Sequence, residues 1–282
     1  MIRNIKVNKQ RLIELLGENR TTRDIGSILG VHGSYIYYLI KKWNLRDLLY
    51  NKRPEIDEHF FSGKITTKEQ AYALGFIIAD GTLTEVKGLS IAVALIDKEI
   101  IEWFSDLLGC NVREYYTINK KTRQFPSASC SVGSRRVKED LHKLFGGYYK
   151  KDRRLPIISE GLEPFLLQGF FDADGCITWG IRKDRNRIWQ KISFTSSLKL
   201  LTGIQNILLK NSYSTKLRPK IGENCFVLEL ASKEVVTTLM NLIYSDSSFL
   251  PLKRKYQKFI ALRLELGEFG ERTKQHRAVP TE

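Results

Sequence analysis

Two apolar segments of this 282-residue chain run into the same tripeptide. QAYALGFIIADG reaches Ala-Asp-Gly at Asp80, and PFLLQGFFDADG reaches it again at Asp174, 94 residues later. As helices, each carries two small residues one turn apart, Gly75 and Ala79 in the first and Gly169 and Ala173 in the second. Such a pair leaves one helix face almost bare, so two backbones can approach closely. The neighbouring faces are apolar, with Leu74, Phe76, Ile77 and Ile78 answered by Leu166, Leu167, Phe170 and Phe171. Two buried helices with matching bare faces are expected to pack on each other through Gly75, Ala79, Gly169 and Ala173.

The surroundings of these segments repeat as well. Each is followed by two runs that alternate like strands, TLTEVKG with LSIAVALI and CITWGIR with IWQKISFT. A helical stretch follows, then two more strand-like runs, VREYYTIN with ASCSVGS and STKLRPKI with CFVLELA, and a closing helix. The order αββαββα occurs twice, which predicts an α+β fold of two pseudo-symmetric units over residues 67–150 and 151–266. GGYYKKDRRLPIIS between them, with its Gly pair, charges and Pro156, reads as an exposed connector. Residues 47–66 read as a linker partly ordered by Phe60 and Phe61, and 267–282 as a loose, flexible tail.

Residues 1–46 predict a separate all-α domain of three short helices. Thr21 or Thr22 would cap the second, with Asp24 in its first turn, and Ser34 would cap the third. With Gly30 in the tight turn and Ile25, Leu29, Val31, Ile36 and Leu39 inside, the arrangement resembles a helix-turn-helix. The third helix would then offer Ser34, Tyr35, Tyr38, Lys41 and Lys42 to a DNA groove.

The charge balance fits such a partner. Lys and Arg number 46 against 31 acids, a net charge of +15 and a pI near 9.6, which favours a polyanion. Four dispersed cysteines (Cys110, Cys130, Cys176, Cys225) and four scattered histidines speak against a zinc site, and the cysteines are expected reduced and buried. No apolar run is long enough to span a bilayer, and the N-terminus lacks a secretory core, so a soluble intracellular protein is expected, in a bacterial or phage cytoplasm rather than an organelle.

Asp80 and Asp174 would stand at helix C-termini, where the dipole is already negative. Gly81 and Gly175 would follow as left-handed caps. If the two helices pack in parallel, both carboxylates arrive at one end and call for cations. Hard oxygen ligands suit Mg2+, with Mn2+ as a substitute, and divalent ions serve phosphodiester cleavage.

LGFIIADG and LLQGFFDADG resemble the two signature motifs of the LAGLIDADG homing endonucleases, in the monomeric two-motif form. The stretches FFSGKITTKEQAYALGFIIADG and FLPLKRKYQKF resemble the flanks of its members. The resemblance covers residues 67–266 and implies a DNA-binding saddle of antiparallel sheets, with the motif helices as the interface between units. It implies double-strand cleavage of a long, near-asymmetric DNA site by a monomer, leaving 3′ overhangs, as in intron homing. Asp80 and Asp174 would be the catalytic metal ligands, with Gly81 and Gly175 in the metal site. Arg135 and Lys233, or Asp97 and Ser197, would supply the basic or polar groups nearby. The sixth motif position holds Ile78 in one copy and Asp172 in the other, where the consensus acid is structural; the second position holds Leu74 and Gln168 in place of Ala.

Strand alternation separates two faces of each sheet, and the resemblance implies DNA on the outward one. Ser90, Ala92 and Ala94 point outward in the first unit, with Arg113, Tyr115, Thr117 and Asn119. In the second, Trp189, Lys191, Ser193 and Thr195 do so, with Lys216, Arg218 and Lys220. The loops KKTRQ and RKDRNR would add phosphate contacts. A DNA-binding transcription regulator or an RNA splicing maturase on the same fold is the alternative to a nuclease. An intein is not expected, because the chain starts at Met1, lacks splicing blocks and ends in VPTE.

Overall fold

The computed structural model of the chain describes residues 7–18, 20, 22–45, 48, 55–86, 88–118, 124–182, 187–220 and 225–277. The chain divides into two units, Met1–Glu55 and Ile56–Glu282.

In the first unit, Asn8 caps α1 (Lys9–Gly17) by accepting from the amides of Gln10 and Arg11. Helices α2 (Thr22–Ile28) and α3 (Gly33–Lys42) follow, and Gly30 makes the turn between them at φ +68°. The cap of α3 is His32, whose ring nitrogen accepts from the Ser34 amide; the Ser34 hydroxyl lies 2.7 Å from the same nitrogen and so serves the cap without being it. Leu12, Leu15, Leu16, Ile25, Ile36, Leu39, Ile40 and Leu45 form a core of their own.

The larger unit repeats one topology. Its first half is α4 (Lys68–Asp80), β1 (Thr82–Thr84), β2 (Gly88–Ala94), α5 (Lys98–Leu108), β3 (Arg113–Ile118), β4 (Gln124–Val132) and α6 (Arg135–Phe145). Its second half is α7 (Glu163–Asp174), β5 (Gly175–Arg182), β6 (Arg187–Ser196), α8 (Leu198–Lys210), β7 (Lys216–Pro219), β8 (Phe226–Leu230) and α9 (Lys233–Ile243). The antiparallel sheets have matching orders, β1-β2-β4-β3 and β5-β6-β8-β7. Thr67 and Gln70 close a capping box on α4, and Pro164 opens α7 where a missing amide costs nothing. Leu89, Ile91, Ala128 and Cys130 in one sheet, and Ile192, Phe194, Leu228 and Leu230 in the other, join the motif helices in one core.

Three expectations about the segments between elements change. Phe61 and Ile65 are buried and Ser62 donates to Asp140 at 2.6 Å, so residues 56–66 belong to the larger unit and are no linker. The connector after α6 is not wholly exposed, since Arg153 is 1% accessible. Helix α10 (Lys253–Arg277) runs into the stretch expected to be a loose tail. Its Leu, Glu, Arg, Lys and Gln residues are strong helix formers, which outweighs the roughly 1 kcal/mol per residue that Gly267 and Gly270 cost.

Candidate active site

The site is built where α4 and α7 cross. A Cβ on Gly75 would collide with the carbonyl oxygen of Leu166, and one on Gly169 with that of Tyr72. The two backbones therefore touch where the small residues predict it, with Ala79 buried and Ala173 half-buried one turn on. Asp172 seals the crossing from inside: its Oδ2 accepts from the Tyr72 hydroxyl at 2.9 Å and its Oδ1 from the Tyr244 hydroxyl at 2.7 Å. Burial raises its pKa to about 7, against the opposing pull of those hydroxyls, Lys255 and Arg254. Its counterpart Ile78 is fully buried. Asp172 thus ties α7 to α4 and to Tyr244 just after α9.

Asp80 and Asp174 are the last residues of the two helices. The pKa of Asp174 is raised to about 6, first by burial and then by the charge of Asp80, while Lys150 and Lys255 oppose the rise. Lys150 Nζ stands 3.5 Å from Asp80 Oδ1, and the Asp80 side chain is 34% exposed. The two carboxylates thus share one electrostatic site, open to solvent on the Asp80 side.

Gly81 and Gly175 depart from expectation. Their φ values are −65° and −79°, extended, because each helix passes straight into a strand. What requires glycine is space: a Cβ on Gly81 would sit 2.6 Å from the Ile77 carbonyl oxygen, and one on Gly175 would run into the Phe171 ring. Their carbonyls are also engaged by buried cations. Arg153 Nη1 donates to the carbonyls of Ile77 (3.1 Å), Ile78 (3.1 Å) and Gly81 (2.9 Å). Lys255 Nζ donates to those of Phe171 (2.5 Å), Ala173 (3.2 Å) and Gly175 (2.7 Å). A metal ion on the same oxygens would meet a neighbouring cation, which takes Gly81 and Gly175 out of the candidate metal set.

These capping cations, with Lys150, are the site residues that the strand and helix patterns missed. Burial lowers Arg153 to about 10 and Lys255 to about 8. The available signal was positional: each stands in a basic run, KKDRRLP or LKRKYQK, a few residues beyond the third helix of its unit. The expected cation Arg135 is elsewhere. Its side chain is 87% exposed and pairs with Glu139 at 2.7 Å, one turn along α6, beside Glu58 and Lys143. Lys233 opens α9, and its side chain lies outside the described residues. Asp97 lines a cavity of about 450 Å3 together with Asp80 and Asp172, and Arg254 holds it through two hydrogen bonds of 2.6 and 2.8 Å. Ser197 caps α8 by accepting from the Leu200 amide.

Two carboxylates at one helix-end pair suit a small hard cation that keeps places for water and phosphate oxygens. Among the described residues no cluster of three Asp, Glu, His or Cys offers a complete protein-only metal site.

The sheet faces follow the expected alternation. Ser90 opposes Ser131, Ala92 opposes Ser129, and Arg113 and Tyr115 lie beside Ser129 and Ser127 on that same face, away from the core. In the second sheet Lys191, Ser193 and Thr195 share the outer face with Lys216 and Arg218, and a hollow there also takes in Lys220. The indole of Trp189 lies over Gly180, where a Cβ would be 2.9 Å from Nε1. Cys110 and Cys130 are buried as expected, whereas Cys176 is exposed because its register opposite Ser193 turns it outward. In the N-terminal unit Ser34, Tyr35, Tyr38, Lys41 and Lys42 are all exposed; Tyr35 and Tyr38 stack at 6.1 Å, and Lys42 Nζ lies 5.8 Å from the Tyr38 ring centroid. The Thr117 side chain, Asn119, residues 120–123 of the KKTRQ loop and the interior of RKDRNR lie outside the described residues. Among the described residues no helix is long and apolar enough to cross a membrane.

Residues 165–244 match the family model of the LAGLIDADG-like domain. No curated protein sequence matches the chain. Similar solved structures include the LAGLIDADG meganuclease I-AabMI bound to uncleaved DNA, 14% identical over 72% of this chain and 92% of that one, with a TM-score of 0.48. They also include the I-SmaMI LAGLIDADG homing endonuclease bound to cleaved DNA, 11% identical over 70% and 88%, TM-score 0.46. Full-length DUF199/WhiA from Thermatoga maritima is 14% identical over 81% and 67%, TM-score 0.43. The matched residues span most of α7 through the end of α9, and α4–α6 repeats the topology of that unit within the same chain.

Proposed function

We propose that this protein is a site-specific double-strand DNA endonuclease that works as a monomer. The observation that carries the reading is the delivery of Asp80 and Asp174 to one electrostatic site by two helices in backbone contact. The carboxylates would hold Mg2+, or Mn2+ in its place. Bound there, the metal would polarise the scissile phosphate and offset the charge that builds on it. Lys150, at the open side of Asp80, would hold an incoming phosphate by charge. Arg153 and Lys255 position the carboxylates by fixing both helix ends. The outer sheet faces would carry the duplex, and α3 would lengthen the footprint through Tyr35, Tyr38, Lys41 and Lys42. Hydrolysis on both strands, leaving 3′ overhangs, follows from the same family resemblance.

The test is incubation with the DNA that flanks the protein's own reading frame, joined without that frame. Cutting is expected with Mg2+, and is expected to vanish in EDTA and in Asp80→Asn or Asp174→Asn. Tight binding without a cut, the same in wild type and both variants, would replace the nuclease with a DNA-binding regulator.

A further inference from the structure

The outer faces of the two sheets differ in chemistry. On the central strands of the first, β2 and β4, the outward residues are Ser90, Ala92 and Ala94 against Ser127, Ser129 and Ser131. No charge stands among them. The corresponding strands of the second sheet, β6 and β8, carry Lys191 and Glu229, with Arg218 on the edge strand β7.

Glu229 is the centre of that group. Its Oε1 accepts from Lys191 Nζ at 2.9 Å and its Oε2 from Arg218 Nε at 2.8 Å. The carboxylate lies under its partners: the Glu229 side chain is 13% exposed, Lys191 37% and Arg218 45%. Burial pushes its pKa up, but the hydrogen bonds from Lys191 and Arg218 outweigh burial and hold the carboxyl below its usual range. The three line a surface hollow of about 430 Å3 with Ser193, Thr195 and Lys220.

An acid at the middle of a basic face lowers the attraction for phosphate, so its presence there works against simple backbone binding. It does two other things. It holds two long, otherwise rotatable cations in fixed places, and it repels a phosphate that slides onto the hollow. Most of the donors of Lys191 and Arg218 remain unused by it. In a major groove the acceptors that match such donors are guanine O6 and N7. We propose that Glu229 is a specificity-determining residue: it turns Lys191 and Arg218 from phosphate ligands into readers of guanine in the half-site that faces the α7–α9 unit. The inference rests on the nuclease reading only in requiring that this face meets duplex DNA.

The experiment is selection of the full chain on duplexes with randomised positions, sequenced after binding, with EDTA present so that nothing is cut. Wild type is expected to select guanine at one or two positions of a single half-site. Glu229→Gln keeps the shape and removes the charge. It is expected to lower that guanine preference about 10-fold, to raise affinity for unrelated DNA, and to steepen the log–log salt slope by about 1. Lys191→Met and Arg218→Met are expected to lose the guanine preference while weakening binding to all sequences. They test the same readers should Glu229→Gln fold poorly. A purely structural ion pair would leave base preference and salt slope unchanged in Glu229→Gln, and that result overturns the inference. So does a wild type that binds duplex without guanine selection. A wild type that binds no duplex overturns the nuclease reading as well.

Discussion

Arg153 and Lys255 answer a problem that each motif helix creates. The last carbonyls of a helix have no intrahelical partner, and the dipole concentrates negative charge there. Asp80 and Asp174 add a full charge at the same ends. A buried cation satisfies the carbonyls and offsets the charge at once, although its own desolvation lowers Lys255 to about 8. Lys255→Met should remove three hydrogen bonds to carbonyls at the end of α7 and lower unfolding free energy by roughly 2–4 kcal/mol in a urea titration. Asp172 makes a second prediction. Because it accepts from Tyr72 and Tyr244 inside the crossing, Asp172→Asn should keep most cutting activity, whereas Asp174→Asn should abolish it in a gel assay. Equal losses would place Asp172 in the chemistry.

The two motif helices were legible because their pattern is local. Glycine one turn before alanine, between large apolar faces, needs no distant partner to be read. The strands were legible for the same reason, since alternation fixed which of Lys191 and Ile192 faces water. Gly169→Ala tests the helix contact: its methyl would fall on the Tyr72 carbonyl, and a loss of about 3 kcal/mol is expected in thermal unfolding. The ends of the elements were harder. A left-handed cap after Asp80 assumes a loop, whereas β1 begins at Thr82 and draws Gly81 into an extended path. Another end contact joins the two halves. Asp246, beyond α9, accepts from Lys68 in the first turn of α4 at 2.7 Å. The hydrogen bonds from Lys68 and Ser248 lower its pKa to about 2. A depressed folded pKa means stability that is present above about pH 4 and lost as pH falls through 2. Asp246→Asn should therefore be less stable than wild type near pH 6, and the difference should close as the medium approaches pH 2.

At the scale of the whole chain, two cores that share no residue make the N-terminal unit separable. A protein lacking residues 1–55 is expected to fold and to cut, with affinity for long DNA lowered about 10-fold and a shallower salt slope by filter binding. Unchanged affinity would remove α3 from the interface. The repeat itself was legible from order alone, αββαββα twice. Its true boundaries were not, because Arg153 and Lys255 act on helices 72 to 84 residues distant in sequence. Each cation lies downstream of the half it completes. A boundary drawn at residue 150 severs the first half from Arg153. On the ribosome, the end of α4 lacks its cation until the connector emerges, and that of α7 until the start of α10 does. Anyone who splits this chain into two fragments, or fuses two copies of one half, must carry each cut beyond its capping cation. Otherwise the fragment leaves helix-end carbonyls without their cation beside an aspartate of the proposed metal site.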